Sequence, residues 1–183
     1  MIRLFTALEI PSEIRQRLTA LQSGLDSARW IEPEDFHITL RFLGDISEDV
    51  AADADAALAR IPFTPFEVEI EGVGAFGGAK PHSLYAAVKH SPELMLLQSR
   101  QESAMRRVGL APETRNYLPH VTLARFNRIE PEYVYRYIEA HNLFACPPFT
   151  ASRAALFSSR PSKGGGPYVG ERYYPDDEEW RES

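Results

Sequence analysis

The chain has one cysteine, Cys146, in 183 residues, which excludes an internal disulfide and any cysteine cluster for zinc and fits a reducing compartment. It has no run of roughly 18 consecutive apolar residues, so no transmembrane helix is expected. Its first ten residues carry one arginine, meet Glu9 and then Pro11, and lack the apolar core of a signal peptide; a cytoplasmic protein without membrane contact is expected. Positive charge is also short. Lys and Arg number 20 against 26 Asp and Glu, a net of -6, the wrong sign for coating long nucleic acid, although a local arginine cluster could still hold a small or terminal anion. With 44% hydrophobic and 25% charged residues, disorder and rod-like folds are disfavoured, and the length suits one core or two small lobes sharing one.

Periodicity supplies the elements. Ile2 to Ile10 reads as a strand stopped by Pro11, and Ser12 is a plausible cap for a helix whose Ile14, Leu18, Leu21 and Leu25 recur at helical spacing. Trp30 to Asp35 reads as a polar connection, and Phe36 to Leu43 as a strand ended by Gly44. Ser47 starts a helix to Ile61; Phe66 to Glu71 and Ser83 to Val88 form a hairpin around a glycine-rich turn. Pro92 to Val108 is a helix stopped by Gly109, Pro119 to Phe126 a strand, Pro131 to Leu143 a helix, and Phe149 to Phe157 and Tyr168 to Tyr174 late strands before a frayed acidic tail from Asp176. Helix, strand, helix, strand thus occurs twice. The expected class is α+β: two pseudo-symmetric lobes of antiparallel strands with outer helices around a central cleft.

The two repeated strands carry His37-Ile-Thr-Leu40 and His120-Val-Thr-Leu123. Residues i and i+2 of a strand share a face, so His37 and Thr39 project together, as do His120 and Thr122, while the aliphatic pairs face the core. Two imidazoles facing one cleft, each with an ordinary pKa of about 6.5, can supply a base and an acid at once. A strained phosphodiester suits them: one imidazole takes a proton from attacking water and the other protonates the departing ribose oxygen, each transfer contributing roughly 10²- to 10⁴-fold. Thr39 and Thr122 can donate to phosphate oxygens. Strict alternation puts Arg41, at i+4, on the His37 face, whereas Arg125, at i+5 from His120, needs a bulge to reach the site.

These residues resemble the 2H phosphoesterase superfamily, and most closely the bacterial and archaeal RNA 2',3'-cyclic phosphodiesterases once called 2'-5' RNA ligases. The resemblance rests on Arg3 to Leu8, Trp30, His37 to Gly44, Gly74 to Gly77, Pro119 to Arg125, and Ser159 to Tyr168, which is similar to the family's closing Gly-Pro-Tyr hairpin. It implies one domain over 1–183, with motifs at 37–40 and 120–123 and intertwined lobes. It also implies metal-independent hydrolysis of RNA 2',3'-cyclic phosphate ends to 2'-phosphomonoesters, with His37 as proton donor, His120 as acceptor, no cofactor, and reversible 2'-5' ligation as a side activity. Thr39, Thr122, Arg41 and Arg125 are the expected phosphate-binding residues, and RNA ends or small cyclic nucleotides the expected partners of a monomer. The alternatives are a non-catalytic module binding nucleotides or RNA ends, and a 2H phosphodiesterase for another cyclic nucleotide.

Other motifs read as structure. His82, His90 and His141 have no motif around them, and His37 with His120 lacks a third metal ligand. Gly72 to Gly77 matches a dinucleotide-binding string, but Gly78 and Pro81 follow instead of a helix, so it reads as a turn. Gly164 to Gly166 likewise reads as a hairpin turn, with Arg160 and Lys163 within reach of RNA. Phe42, Tyr117 and Phe126 could stack on a base, yet core packing is the expectation for each.

Overall fold

The computed structural model describes residues 1–176, so the expected frayed tail lies, from residue 177 on, outside the described residues. Strand β1 (Ile2–Glu9) is followed by helix α1 (Ser12–Thr19). The helix has Pro11 at its N-cap and no side-chain cap, so Ser12 does not serve as expected. Leu21 and Leu25 are buried from turns beyond its end, because α1 stops at Thr19. Trp30 is not in a connection but in strand β2 (Arg29–Trp30), and Pro33–Asp35 form one 3-10 turn. Strand β3 (His37–Ile46) runs through Gly44, which at φ +83° absorbs an irregularity opposite β1 instead of ending the strand.

Ser47 caps helix α2 (Glu48–Ala59), its Oγ accepting the Val50 N–H at 3.3 Å. Strands β4 (Phe66–Val68), β5 (Ile70–Phe76) and β6 (Ser83–Val88) follow, so most of the glycine string read as a turn is strand, and the chain reverses only after Phe76. Helix α3 (Pro92–Arg107), strand β7 (His120–Arg125), helix α4 (Pro131–His141) and strands β8 (Phe149–Ala151), β9 (Ala154–Ser159) and β10 (Val169–Tyr174) complete the order.

Two four-stranded antiparallel sheets result, β10-β9-β1-β3 and β2-β7-β6-β5, with β4 and β8 as a separate pair. Within them β1–α1–β3 and β6–α3–β7 are equivalent units, which makes the two lobes pseudo-symmetric. Their helices are exchanged. Helix α3 follows β6 yet packs behind the first sheet, where Gln101 accepts the Thr6 hydroxyl at 2.5 Å. The chain leaving α1 packs behind the second sheet, where Gln22 donates to the carbonyls of Ile31 at 2.7 Å and Leu123 at 3.2 Å and the Tyr137 hydroxyl donates to the Leu21 carbonyl. Helices α2 and α3 enclose Leu4, Leu43, Leu58, Met105 and Leu156, and α1 and α4 enclose Leu18, Leu84, Val121, Leu123 and Val134. The opposite faces of the two sheets, bearing the motif strands β3 and β7, are left to form a cleft.

Candidate active site

Each motif strand has one extra residue at the leucine of its tetrapeptide. In β3, Thr39 lies opposite Ala7 and Arg41 opposite Thr6, so Leu40 has no partner; in β7, Thr122 lies opposite Tyr85 and Ala124 opposite Leu84, which leaves Leu123. Such a bulge shifts the alternation by one, and everything beyond it changes face. The expectation that Arg41 shares the His37 face is therefore overturned. Arg41 is 6% exposed and turned behind the sheet, paired with Glu102 of α3 and donating to the carbonyls of Phe42 at 2.5 Å and Ala111 at 2.6 Å. The i+5 positions reach the cleft instead. Arg125 does so beyond His120, close enough for its charge to act on His37, His120 and Tyr168. Phe42 does so beyond His37; it is 42% exposed, against the core parity expected for it.

The two imidazoles are held alike. His37 Nδ1 donates to the Asp35 carbonyl at 2.8 Å and His120 Nδ1 to the Leu118 carbonyl at 2.7 Å, in each case two residues upstream. A carbonyl only accepts, so Nδ1 carries the proton and Nε2 of the neutral ring is left as acceptor. His37 Nε2 lies 3.0 Å from Thr39 Oγ1, whose hydroxyl can donate to it. Thr122 shares the His120 face by the same alternation.

Aromatic rings enclose both. Phe5 at 4.8 Å, Tyr168 at 5.1 Å and Phe157 at 6.5 Å surround the His37 ring, and Phe76 at 4.9 Å and Tyr85 at 5.4 Å flank His120. Burial lowers the pKa of His37 to about 4, against the raising effect of the Asp35 carbonyl, with the charges of His120 and Arg125 lowering it further. His120 is lowered too, by burial first and by Arg125, against the hydrogen bond to Leu118. Both rings are thus neutral and competent as bases near pH 7 before an anion arrives.

A loop from Arg160 to Tyr168 closes the His37 end. Asp45 accepts the Ser162 N–H at 3.0 Å, Asp35 accepts the Tyr168 N–H at 3.3 Å, and Arg160 donates to the Gly166 carbonyl at 2.9 Å. A Cβ at Gly166 would collide with the Asp35 carboxylate, so a larger residue there requires that side chain to move. Asp35 therefore fixes the His37 ring by its carbonyl and the loop by its carboxylate. Burial raises the Tyr168 phenol, partly opposed by Arg125.

Of the other sequence candidates, Phe126 is buried, and Tyr117 is half-buried with its hydroxyl donating to the Thr39 carbonyl at 2.7 Å. His141 Nδ1 donates to the Tyr137 carbonyl at 2.8 Å, His90 is exposed, and His82 stacks on Phe76 with centroids 6.3 Å apart. Among the described residues, no group of three or more His, Cys, Asp and Glu is placed to hold a metal ion. Sequence reasoning passed over Asp35 and the rings of Phe5, Phe76, Tyr85 and Phe157. The alternation of β1 and β5 could have placed Phe5 and Phe76 on one face each; no spacing could have shown which carbonyl meets a histidine.

Comparison with known proteins agrees with this fold. The LigT-like phosphoesterase family matches residues 8–85 and 87–168. The chain is 32% identical over 135 residues to an RNA 2',3'-cyclic phosphodiesterase of Archaeoglobus fulgidus, covering 72% of this chain and 76% of that protein. To the protein of the same name from Aquifex aeolicus it is 26% identical over 179 residues, covering 94% and 95%. Among solved structures, Escherichia coli LigT complexed with 3'-AMP superposes with a TM-score of 0.75 at 22% identity, covering 94% of this chain and 97% of that one. A protein of Thermus thermophilus gives 0.77 at 23% identity with the same coverage. The duplicated His-x-Thr-Leu strands, the exchanged helices and the match along most of its length make this chain a member of the LigT-like phosphoesterase family.

Proposed function

We propose that the protein hydrolyses RNA 2',3'-cyclic phosphate ends to 2'-phosphomonoesters, with His37 and His120 as its acid and base. The observation that carries this reading is the matched pair of Nδ1-to-carbonyl hydrogen bonds, which leaves two Nε2 atoms for proton transfer on facing strands. In the forward reaction His120 Nε2 takes a proton from water as the water oxygen bonds to phosphorus. The P–O3' bond breaks, and His37 Nε2 delivers its proton to O3', leaving the phosphate on O2'. Thr39, Thr122 and Arg125 hold the non-bridging oxygens; Arg41, tied to Glu102, is withdrawn from that role. No step draws on a metal or cofactor, and the same path with a 5'-hydroxyl in place of water joins that hydroxyl to the cyclic phosphate through a 2'-5' linkage as the P–O3' bond breaks.

His37 must be protonated to act as the acid, and in the free protein burial keeps it neutral. The bound phosphate anion supplies the missing stabilisation of the imidazolium, so protonation accompanies binding. The deeper burial of His37 also favours a second reading in which the roles are exchanged, with His37 as base. Incubation with an oligonucleotide ending in a 2',3'-cyclic phosphate, in EDTA, tests the common core of both. The expected product is 2'-phosphate alone, lost by about 10²-fold or more in His37→Ala and in His120→Ala; full activity in either variant, or a 3'-phosphate product, overturns the proposal. Saturable binding of the oligonucleotide with no product would support a binding module instead.

A further inference from the structure

The reaction leaves the exposed ring of Phe42 unused. We infer that Phe42 is the stacking platform for the base of the nucleotide preceding a 2',3'-cyclic phosphate terminus, an inference that rests on the phosphodiesterase reading and extends it to substrate length.

Register places the ring on the catalytic face. Phe42 lies directly opposite Phe5, Phe5 lies opposite Phe157, and both of those rings surround His37. Residues directly opposite in an antiparallel pair project to the same side, so Phe42 continues this row. Phe5 is 4% exposed, whereas Phe42 is 42% exposed, so the row runs from the enclosed histidine out to solvent. Across the Leu40 bulge, Thr39 and Phe42 lie opposite Ala7 and Phe5, two residues apart on β1, so the strand advances about 7 Å from the phosphate-binding threonine to the ring.

The ring is also fixed before any ligand arrives. The Arg3 guanidinium lies over it, 4.9 Å from the centroid, and is itself held by Asp45 at 2.7 Å. A backed, preorganised aromatic face binds a base with little loss of side-chain freedom, and any base has a π-face to offer. The two ends of the cleft differ in a way the pseudo-symmetry does not require: the position equivalent to Phe42 beyond His120 is Arg125. A 2',3'-cyclic phosphate closes the 3' end of a chain, so such a substrate continues on one side only. An aromatic ring at one end and a guanidinium at the other suit a substrate with one polymeric side, leaving past His37.

The test compares kcat/KM for a nucleoside 2',3'-cyclic phosphate with that for a dinucleotide ending in the same group. The wild-type protein should prefer the dinucleotide by roughly 5- to 100-fold, the size of one base–aromatic stack. Phe42→Leu, which keeps an apolar side chain under Arg3, should bring the ratio near 1, and Phe42→Trp should retain it. A wild-type ratio near 1, a ratio undiminished in Phe42→Leu, or equal losses on both substrates would each overturn the inference, the last by showing a merely structural role. Wild-type turnover of the mononucleotide, measured first, separates these outcomes from failure of the phosphodiesterase reading, in which neither substrate reacts.

Discussion

Two arginines that alternation ranks one way in the sequence are placed the other way at the residue scale. Arg41 is buried with Glu102 as its partner, and removing one member of a buried pair leaves the other charge uncompensated. Arg41→Met is expected to cost about 3–5 kcal/mol of stability, read as a lower denaturant midpoint, while the folded fraction keeps its affinity for 2'-AMP. Arg125→Met should do the reverse, changing the midpoint little and weakening 2'-AMP binding about tenfold or more, as loss of a charged hydrogen bond would. Equal effects of the two substitutions on binding would contradict this division. The shared face of His37 with Thr39 and of His120 with Thr122 was legible because alternation holds from the first to the third residue of each tetrapeptide. Arg41 and Phe42 were misplaced because alternation fails one residue later, at Leu40.

Bulges and loop contacts decide the geometry at the scale of elements, and neither leaves a periodic trace. The Leu40 and Leu123 bulges sit at equivalent points of β3 and β7, so the two motifs agree in structure beyond the four residues in which they agree in sequence. Gly44, Gly72 and Gly74 looked like turn residues; all three lie inside strands, since glycine also serves irregular or closely approached strand positions. Gly166 is the sharper case. A methyl group there must displace the Asp35 carboxylate, which accepts the N–H of Tyr168, a ring beside His37. Gly166→Ala is expected to lower kcat by roughly 10- to 100-fold, the cost of slight misplacement of a catalytic group, and shortening Asp35 in Gly166→Ala/Asp35→Ala should recover part of it. Unchanged kcat in the single variant would remove Asp35 as the link between loop and ring.

Across the whole molecule, the order of elements revealed the duplication, and the helix exchange was beyond it, because which sheet a helix covers depends on contacts far apart in the chain. The exchange makes each lobe's core partly the other's, and on the opposite, cleft face Phe5, Phe157 and Tyr168 enclose His37 deeply enough to depress its pKa. That carries a pH signature. With a folded value of about 4 and an ordinary value of 6.5, the unfolded chain binds the extra proton first as pH falls. Stability is therefore full above pH 6.5 and declines between 6.5 and 4. Denaturation of the wild-type protein and of His37→Gln across this window should show the decline reduced in the variant; identical profiles would mean that His37 titrates normally. A bound 2'-nucleotide should raise the His37 value and so flatten the decline at mildly acidic pH.

The central claim is that His37 gives and His120 takes the proton in displacement at one phosphorus. It is tested most directly by replacing the 3' bridging oxygen of the cyclic phosphate with sulfur, a leaving group that needs no protonation, and measuring single-turnover rates. The account predicts that sulfur restores His37→Ala to near the wild-type rate on the same substrate and leaves His120→Ala impaired. Restoration of both variants, of neither, or of His120→Ala alone would contradict it.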